Sequence, residues 1–364
     1  VVVVAGAVTA QRVSRGGWIA ERSRLGAVLA PMAGFSDAPF RRLARHFGAA
    51  WAVSEMVSAA GLALGRQDAR GLQISAPYRD EPFVVIQLFA ADPDLAARAV
   101  ARIDRTFAPS AIDLNMGCPV KKVLNRGCGS ELLDDPERAA AIVAAMRAAT
   151  SLPVTAKLRL GVDRVVAVEV AQTLVAAGVD ALAVHGRTAV QRYDGRADWD
   201  AIAEVAASVP VPVMGSGDVR DAATYAQAQR AGLGVMVARA AIGRPWLFAE
   251  LSGHEPPERA AITTTVWRHA RDHVAWYGGP APLRSLRGQL AAYAVALAAS
   301  AGSPIDGSSL RAALVRVESL ADLRAALSSG VGIDPVRAHE PLSDGWQALA
   351  AAPLTVSHRE PQVD

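Results

Sequence analysis

Eight short apolar runs, rich in valine, isoleucine, leucine and alanine, recur at 26–31, 50–54, 83–88, 111–115, 153–158, 180–185, 211–215 and 233–238. Each is followed by a longer alanine-rich segment of helical period, which is the pattern of repeated parallel βα units. Eight such units predict an α/β fold of the (β/α)8 TIM-barrel type, whose chemistry sits at the C-terminal ends of its strands. The sequence itself meets that expectation. Met32, Glu55, Gln87, Asn115, Lys157, His185, Gly217 and Arg239 fall, in order, at or just past the ends of the eight runs. Polar residues scattered through a core would not fall so regularly.

The proline-bearing segment HEPPE at 254–258 ends the alternation. Beyond it come only helical patterns, at 259–277, 283–301 and 308–329, separated by GGPAP and AGSPIDGS. The expected organisation is a disordered N-terminal extension over 1–20, a barrel over 21–253, a small helical bundle over 259–332, and an aperiodic, disordered tail over 333–364. The opening VVVVAGAVTA is apolar but lacks a basic segment before it, so it is not read as a targeting signal. No apolar run reaches the ~18–20 residues needed to cross a bilayer, which excludes a helical membrane protein. Two cysteines make no disulfide framework, and no four-ligand zinc pattern is present. A cytoplasmic monomer without bound metal is expected.

The stretch from 112 to 132, IDLNMGCPVKKVLNRGCGSEL, carries the densest chemistry. A strand-like run ends in Asn115, turns through Gly117 and presents Cys118, followed at once by Pro119. Lys121, Lys122 and Arg126 come next, then glycines. A thiol at the mouth of a buried strand, beside cations, suits an acid or nucleophile acting on an anionic or nucleotide-like substrate. The competing reading of a lone cysteine is a small buried hydrophobe; the polar turn around this one argues against it. The net charge of +3 is too small to indicate nucleic acid by itself. The three lysines of the chain, Lys121, Lys122 and Lys157, all lie inside these motifs.

NMGCPVKKV resembles the active-site signature of the tRNA-dihydrouridine synthases, flavoenzymes that reduce uracil in tRNA. The resemblance extends in order through LAPMAGFSDAPFRRL (29–43), VSEMVSAAGL (53–62), VIQLFAADPD (85–94), PVTAKLRLGVD (153–163), VHGRTAVQRYDGRADWDAIAEV (184–205), PVMGSGDV (212–219) and IGRPWLF (242–248). It implies that Pro31, Met32 and Ala33 lie against the isoalloxazine of FMN. It also implies that Gln87 and Asn115 meet the ring or the uracil, that Lys157 neutralises the reduced ring, and that His185 contacts FMN. Ser216, Gly217, Asp218, Ala238 and Arg239 would form the phosphate site that such barrels build after strands seven and eight. Two departures stand out: Ser-Gly-Asp replaces the usual Asn-Gly-Asp, and Ala238-Arg239-Ala240 replaces Gly-Arg-Gly, changes expected to weaken FMN affinity.

Cys118 is implied to be the general acid that protonates C5 after hydride reaches C6. NADPH is the implied reductant and tRNA the implied partner. Lys121, Lys122, Arg126, Arg187 and Arg192 are expected on an RNA-facing rim, joined by Arg196 and by Arg268, Arg271, Arg284 and Arg287 of the helical segment. Arg159 is placed to reach a phosphate, and Cys128 receives no role. Two other functions fit the residues: an FMN barrel reductase of a free pyrimidine or enone, and a flavin-free RNA-binding descendant. Flavin content and the choice between tRNA and free uracil separate them.

Overall fold

The computed structural model of the chain describes residues 15–66, 72–278, 282–302 and 304–336. The strands are β1 (Val28–Leu29), β2 (Ala52–Val53), β3 (Val57–Ser58), β4 (Val84–Phe89), β5 (Ala111–Met116), β6 (Val154–Arg159), β7 (Ala181–His185), β8 (Val213–Ser216) and β9 (Gly234–Val237). All pairings are parallel, and the sheet closes because β1 pairs with both β2 and β9. β2 and β3 both register on β4, with Ala52 beside Val84 and Val57 beside Leu88. They are one stave interrupted at 54–56, so the barrel has the eight staves read from the sequence. The interruption has a local cause. Ser54 Oγ accepts the N–H of Gln87 at 3.1 Å and donates to the carbonyl of Glu55 at 2.8 Å, replacing ladder bonds with side-chain ones.

The helices between staves start where the sequence supplies caps. Asp92 and Asp135 each accept an N–H of the first turn and are followed by proline at the first helical position. Alternate strand residues face the barrel axis. One buried cluster there contains Val28, Val53, Val85, Ala111, Ala181, Met214 and Met236. Above it the same strands present Gln87, Asn115, Lys157 and His185.

Residues 15–25 form a helix, which corrects the expectation that the disordered extension runs to residue 20. Ile19 is fully buried in the axial cluster, Trp18 meets Trp51 edge-on at 5.6 Å, and Trp51 Nε1–H donates to Ser23 Oγ at 3.1 Å. The apolar pair Trp18–Ile19 gains more from closing the barrel floor than the glycines Gly16 and Gly17 lose in helix propensity. The rest of the expected extension lies outside the described residues.

The helical unit comprises Arg259–Tyr277, Arg287–Ala299, Gly307–Leu314 and Leu320–Val331. The single pattern expected over 308–329 is therefore two helices. The break is made by Ser319, whose side chain caps the last helix while Asp322 returns a bond to the cap. This unit has its own core, including Ile262, Val266, Leu290, Leu297, Leu314 and Leu323, and that core takes in Trp246 from the end of the barrel sequence.

The seam with the barrel is close. Gly243 has φ +66°, and a Cβ there would fall 2.4 Å from Cβ of Ala292. Gln289 Oε1 accepts the N–H of Gly243 at 2.8 Å, and its Nε2 donates to the carbonyl of Phe35 at 3.3 Å. Of the expected tail, residues 334–336 are anchored by Asp334, which pairs with Arg324 at 2.9 and 2.6 Å; residues 337–364 lie outside the described residues. Among the described residues no helix is long and apolar enough to cross a membrane.

Candidate active site

A cavity of about 1020 Å³ opens at the C-terminal ends of the strands, of the size that small-molecule and cofactor sites take. Its walls bring together Pro31, Met32, Ala33, Gln87, Asn115, Cys118, Lys121, Lys157, His185, Arg192, Ser216, Gly217, Asp218, Ala238 and Arg239. Lys122, Arg126 and Arg187 are not among its lining. Lys122 and Arg126 are exposed around the short helix Lys121–Leu124, and Arg126 lines a separate cleft with Arg66, Asp92 and Cys128.

Strand register builds the floor. Gln87 lies beside Asp113 on neighbouring strands, and Asn115 beside Lys157. Gln87 Nε2–H donates to Asp113 Oδ2 at 2.8 Å, Thr155 Oγ1–H donates to Asp113 Oδ1 at 2.6 Å, and Asn115 Nδ2–H donates to Gln87 Oε1 at 2.8 Å. The Gln87 amide, expected to find its partners on a ring in the cavity, thus has one donor and one acceptor satisfied by protein. Asp113 was not singled out in the sequence, where it reads as one polar residue in an apolar strand. Burial pushes its carboxyl up to about 6, against the pull of Thr155, Gln87 and Lys157. Glu55 is a second buried acid near the mouth. Burial pushes it up to about 7, while the N–H of Gly34 donates to it at 2.7 Å and ties down the turn after β1.

Asn115 also fixes the cysteine. Its Oδ1 accepts the N–H of Gly117 at 3.2 Å and of Cys118 at 3.0 Å. From the other side, the N–H of Ser130 donates to the Cys118 carbonyl at 3.1 Å. Gly129, at φ +68°, permits that approach: a Cβ there would lie 2.6 Å from the Cys118 carbonyl oxygen. Burial pushes the Cys118 thiol up, with the N–H of Val120 and the charge of Arg159 pulling the other way. The thiol is therefore protonated at neutral pH. Cys128 is buried, donates to the carbonyl of Arg126 at 3.4 Å and is pushed up to about 11 by burial, a structural thiol.

Cations line the same cavity. Lys157 has no hydrogen-bond or ion-pair partner among the described residues, and burial, then Arg159, pulls its ammonium down to about 8, against Asp113. His185 is drawn down to about 2 by burial and by the charges of Lys157, Arg159, Arg187 and Arg239, so it is a neutral imidazole. The Arg239 guanidinium lies 3.9 Å over the exposed ring of Tyr193 at the mouth.

Two arginines are held by backbone carbonyls. Arg159 lines the cavity; its Nε–H donates to the carbonyl of Gly117 at 2.9 Å, and its Nη1 to those of Thr188 and Arg192 at 2.8 and 2.9 Å. It ties the cysteine loop to the loop after β7. Arg187, expected at an RNA-facing rim, is 1% exposed. Its Nη2 donates to both Asp218 oxygens at 2.8 and 2.7 Å and to the carbonyl of Gly195 at 2.7 Å. It holds the turn of Gly217, whose φ of +135° and 2.4 Å clearance from Ala197 admit only glycine. Asp218 is held below its ordinary range; partial burial opposes this, and the Ala197 N–H and Arg187 outweigh it. Ala238, by contrast, sits at φ −120°, and neither it nor Ala240 has the left-handed backbone that would penalise alanine.

Residues 28–302 match the family described as Dihydrouridine synthase (Dus). The chain is 39% identical over 283 residues to the "Probable tRNA-dihydrouridine synthase" of Rhodobacter capsulatus, covering 75% of this chain and 87% of that one. It is 37% identical over 270 residues to the protein of the same description from Rhizobium leguminosarum bv. phaseoli, covering 73% and 84%. It is also 37% identical over 278 residues to "tRNA-dihydrouridine synthase B" of Xanthomonas campestris pv. campestris, covering 73% and 83%.

Proposed function

The chain belongs to the dihydrouridine synthase family and is an oxidoreductase acting on tRNA uridines; from that premise we propose that it uses FMN and NADPH, with Cys118 as the proton donor to the base. The observation that carries this reading is the pairing of a protonated thiol and an unpartnered ammonium, Cys118 and Lys157, in one cavity.

The residues present fit FMN. Pro31, Met32 and Ala33 offer a wall of small or unbranched side chains, and Lys157 is a cation in search of an anion. Gly217 keeps the backbone bare of Cβ where the phosphate site is expected, and Arg239 lines the same side. When bound and reduced by NADPH, FMN would supply a hydride to C6 of the uracil. Lys157 holds positive charge in the wall where reduction leaves negative charge on the ring, and neutral His185 offers a hydrogen bond without adding charge. Cys118 holds the proton destined for C5, and burial keeps it on sulfur through neutral pH. Asn115 and Gly129 fix the backbone from which that sulfur projects.

A uracil inside tRNA reaches this cavity only after leaving its stack. Lys121 and Arg192 at the mouth, with exposed Lys122 and Arg126 beyond it, supply cations for the adjoining phosphates, and affinity should weaken with salt. The helical unit packs against the barrel through Gln289 and Gly243, which favours a large substrate over a free pyrimidine.

The deciding experiment uses purified protein and tRNA from cells lacking the gene. Expected are a flavin spectrum identified as FMN by mass, and dihydrouridine in the tRNA after NADPH is added. Cys118→Ala should retain flavin reduction and lose nearly all dihydrouridine formation. A chain that stays colourless in excess FMN, or a Cys118→Ala variant of undiminished activity, would overturn the proposal.

A further inference from the structure

Away from the cavity, three buried side chains converge at the seam between the barrel and the helical unit. Asp37 caps the helix Ala38–His46, and His269 and His273 stand one turn apart on Arg259–Tyr277. They are 6%, 0% and 2% exposed. One nitrogen or oxygen from each lies within 4.8 Å of the other two.

Asp37 accepts from the N–H of Phe40 at 3.1 Å and from Tyr277, whereas the two histidines are less fully bonded. Ser285 Oγ–H donates to the carbonyl of Pro282 at 3.0 Å, so the same oxygen accepts from His273 Nε2 at 2.8 Å. That places a proton on Nε2. Nδ1 lies 3.2 Å from Asp37 Oδ2 and makes no well-directed hydrogen bond among the described residues. His269 Nδ1 lies 3.0 Å from the Tyr293 hydroxyl, and its buried Nε2 has no hydrogen-bond partner among the described residues. In both histidines one ring nitrogen is anchored by a hydroxyl and the other lacks a well-directed hydrogen bond, which is how ligating histidines are held. Arg41, which also feels the Asp37 charge, is committed to Glu81 through bonds of 2.6 and 2.7 Å.

We propose that Asp37, His269 and His273 form a binding site for a divalent transition-metal cation, with Zn²⁺ the best match, which joins the helical unit to the barrel. Two imidazoles at i and i+4 on one helix with one carboxylate make a borderline-soft donor set of the kind zinc takes. The 3.2 Å between Asp37 Oδ2 and His273 Nδ1 is close to the ~3.3 Å edge of a tetrahedron with bonds of ~2.0–2.1 Å. One ring nitrogen of His269 lies within 4.8 Å of both other ligand atoms, so it reaches the third vertex by moving in no more than about 1.5 Å, given those bond lengths. The ion joins these side chains by two or three coordinate bonds and locks the seam. This site does not depend on the uridine chemistry.

The test uses the full chain, purified without chelators, exposed to Zn²⁺ or Co²⁺ and desalted. Expected are about one retained metal per chain, visible d–d bands in the Co²⁺ form, and a Tm raised several degrees by Zn²⁺ and returned by a strong chelator. His273→Gln keeps a donor for Ser285 but removes Nδ1; it should lose the retained metal and the Tm response with unchanged circular dichroism. His269→Asn should do the same. If either variant fails to fold, X-ray absorption of the wild-type Zn²⁺ form decides: two imidazoles with oxygen support the site, and sulfur ligation overturns it. Equal metal retention by wild type and His273→Gln overturns it as well. So does a wild-type Tm indifferent to Zn²⁺, which would mean that a proton alone joins Asp37 and His273.

Discussion

The carboxamide oxygen of Asn115 accepts the backbone N–H of Cys118 at 3.0 Å, so the residue that ends a barrel strand also sets where the reactive sulfur stands. The same amide donates to Gln87, which donates to Asp113. The cysteine loop is thereby wired to the interior of the sheet rather than left as a free surface turn. Asn115→Ala should lower the rate at which tRNA reoxidises the reduced flavin by about 10–100-fold, since misplacing a reacting group by a fraction of an ångström costs that much. Stopped-flow flavin absorbance measures it, and an unaltered rate would remove Asn115 from this role.

Activity should fall on the alkaline side. Lys157 is drawn down to about 8 by burial and Arg159, so its cation is present below that pH and lost above it. Cys118, pushed up by burial, stays protonated over the same interval. The free-enzyme profile, kcat/KM against pH, should therefore break downward near pH 8. Lys157→Arg, whose guanidinium does not titrate in this range, should move the break upward even as it lowers the plateau. An unmoved break would assign it to another group.

Stability should respond to pH through Asp113. Its folded carboxyl titrates at about 6, above the ordinary 3.8. For a group raised on folding, the stabilising contribution is complete below the unfolded pKa and is lost as pH rises through the folded one. Raising the pH from 4 to 7 should thus cost on the order of 2–3 kcal/mol from this residue. Asp113→Asn should flatten that dependence, read from urea midpoints at pH 5 and pH 7. Parallel losses in variant and wild type would place the penalty elsewhere.

Gly243→Ala should destabilise the chain by about 2–4 kcal/mol, combining a left-handed φ with overpacking. The added Cβ would lie 2.4 Å from Cβ and 2.6 Å from the carbonyl carbon of Ala292, and backbone cannot step aside as a side-chain tip can. Equilibrium denaturation checks the magnitude, and a loss within 0.5 kcal/mol, about the level of surface substitutions, would mean that the seam is looser than its packing indicates.

The barrel was legible because buried parallel strands write themselves as apolar runs and place their polar residues at one end. Gln87, Asn115, Lys157 and His185 were found by that rule, and the structure puts all four on one cavity. Arg187 was misplaced because spacing gives a residue's position along the chain and not its partner; Asp218, 31 positions away, buries it. Asp113 was missed because its neighbours Thr155 and Gln87 reach it across strands, a relation that strand register creates and a single run does not contain. The helix at 15–25 was obscured by the valines before it and by two glycines inside it. The His269–His273 spacing was visible on the helix, but its carboxylate comes from Asp37, more than two hundred positions earlier.

Ile19, Trp51 and the side chains packed with them fill the lower end of the barrel, so among the described residues the cavity opens at the C-terminal ends of the strands. On the proposed function, the reductant and the flipped base would share that opening and enter it in turn. Steady-state rates would then give parallel double-reciprocal lines, with excess NADPH slowing the reaction by competing with tRNA, and intersecting lines would overturn the shared entrance.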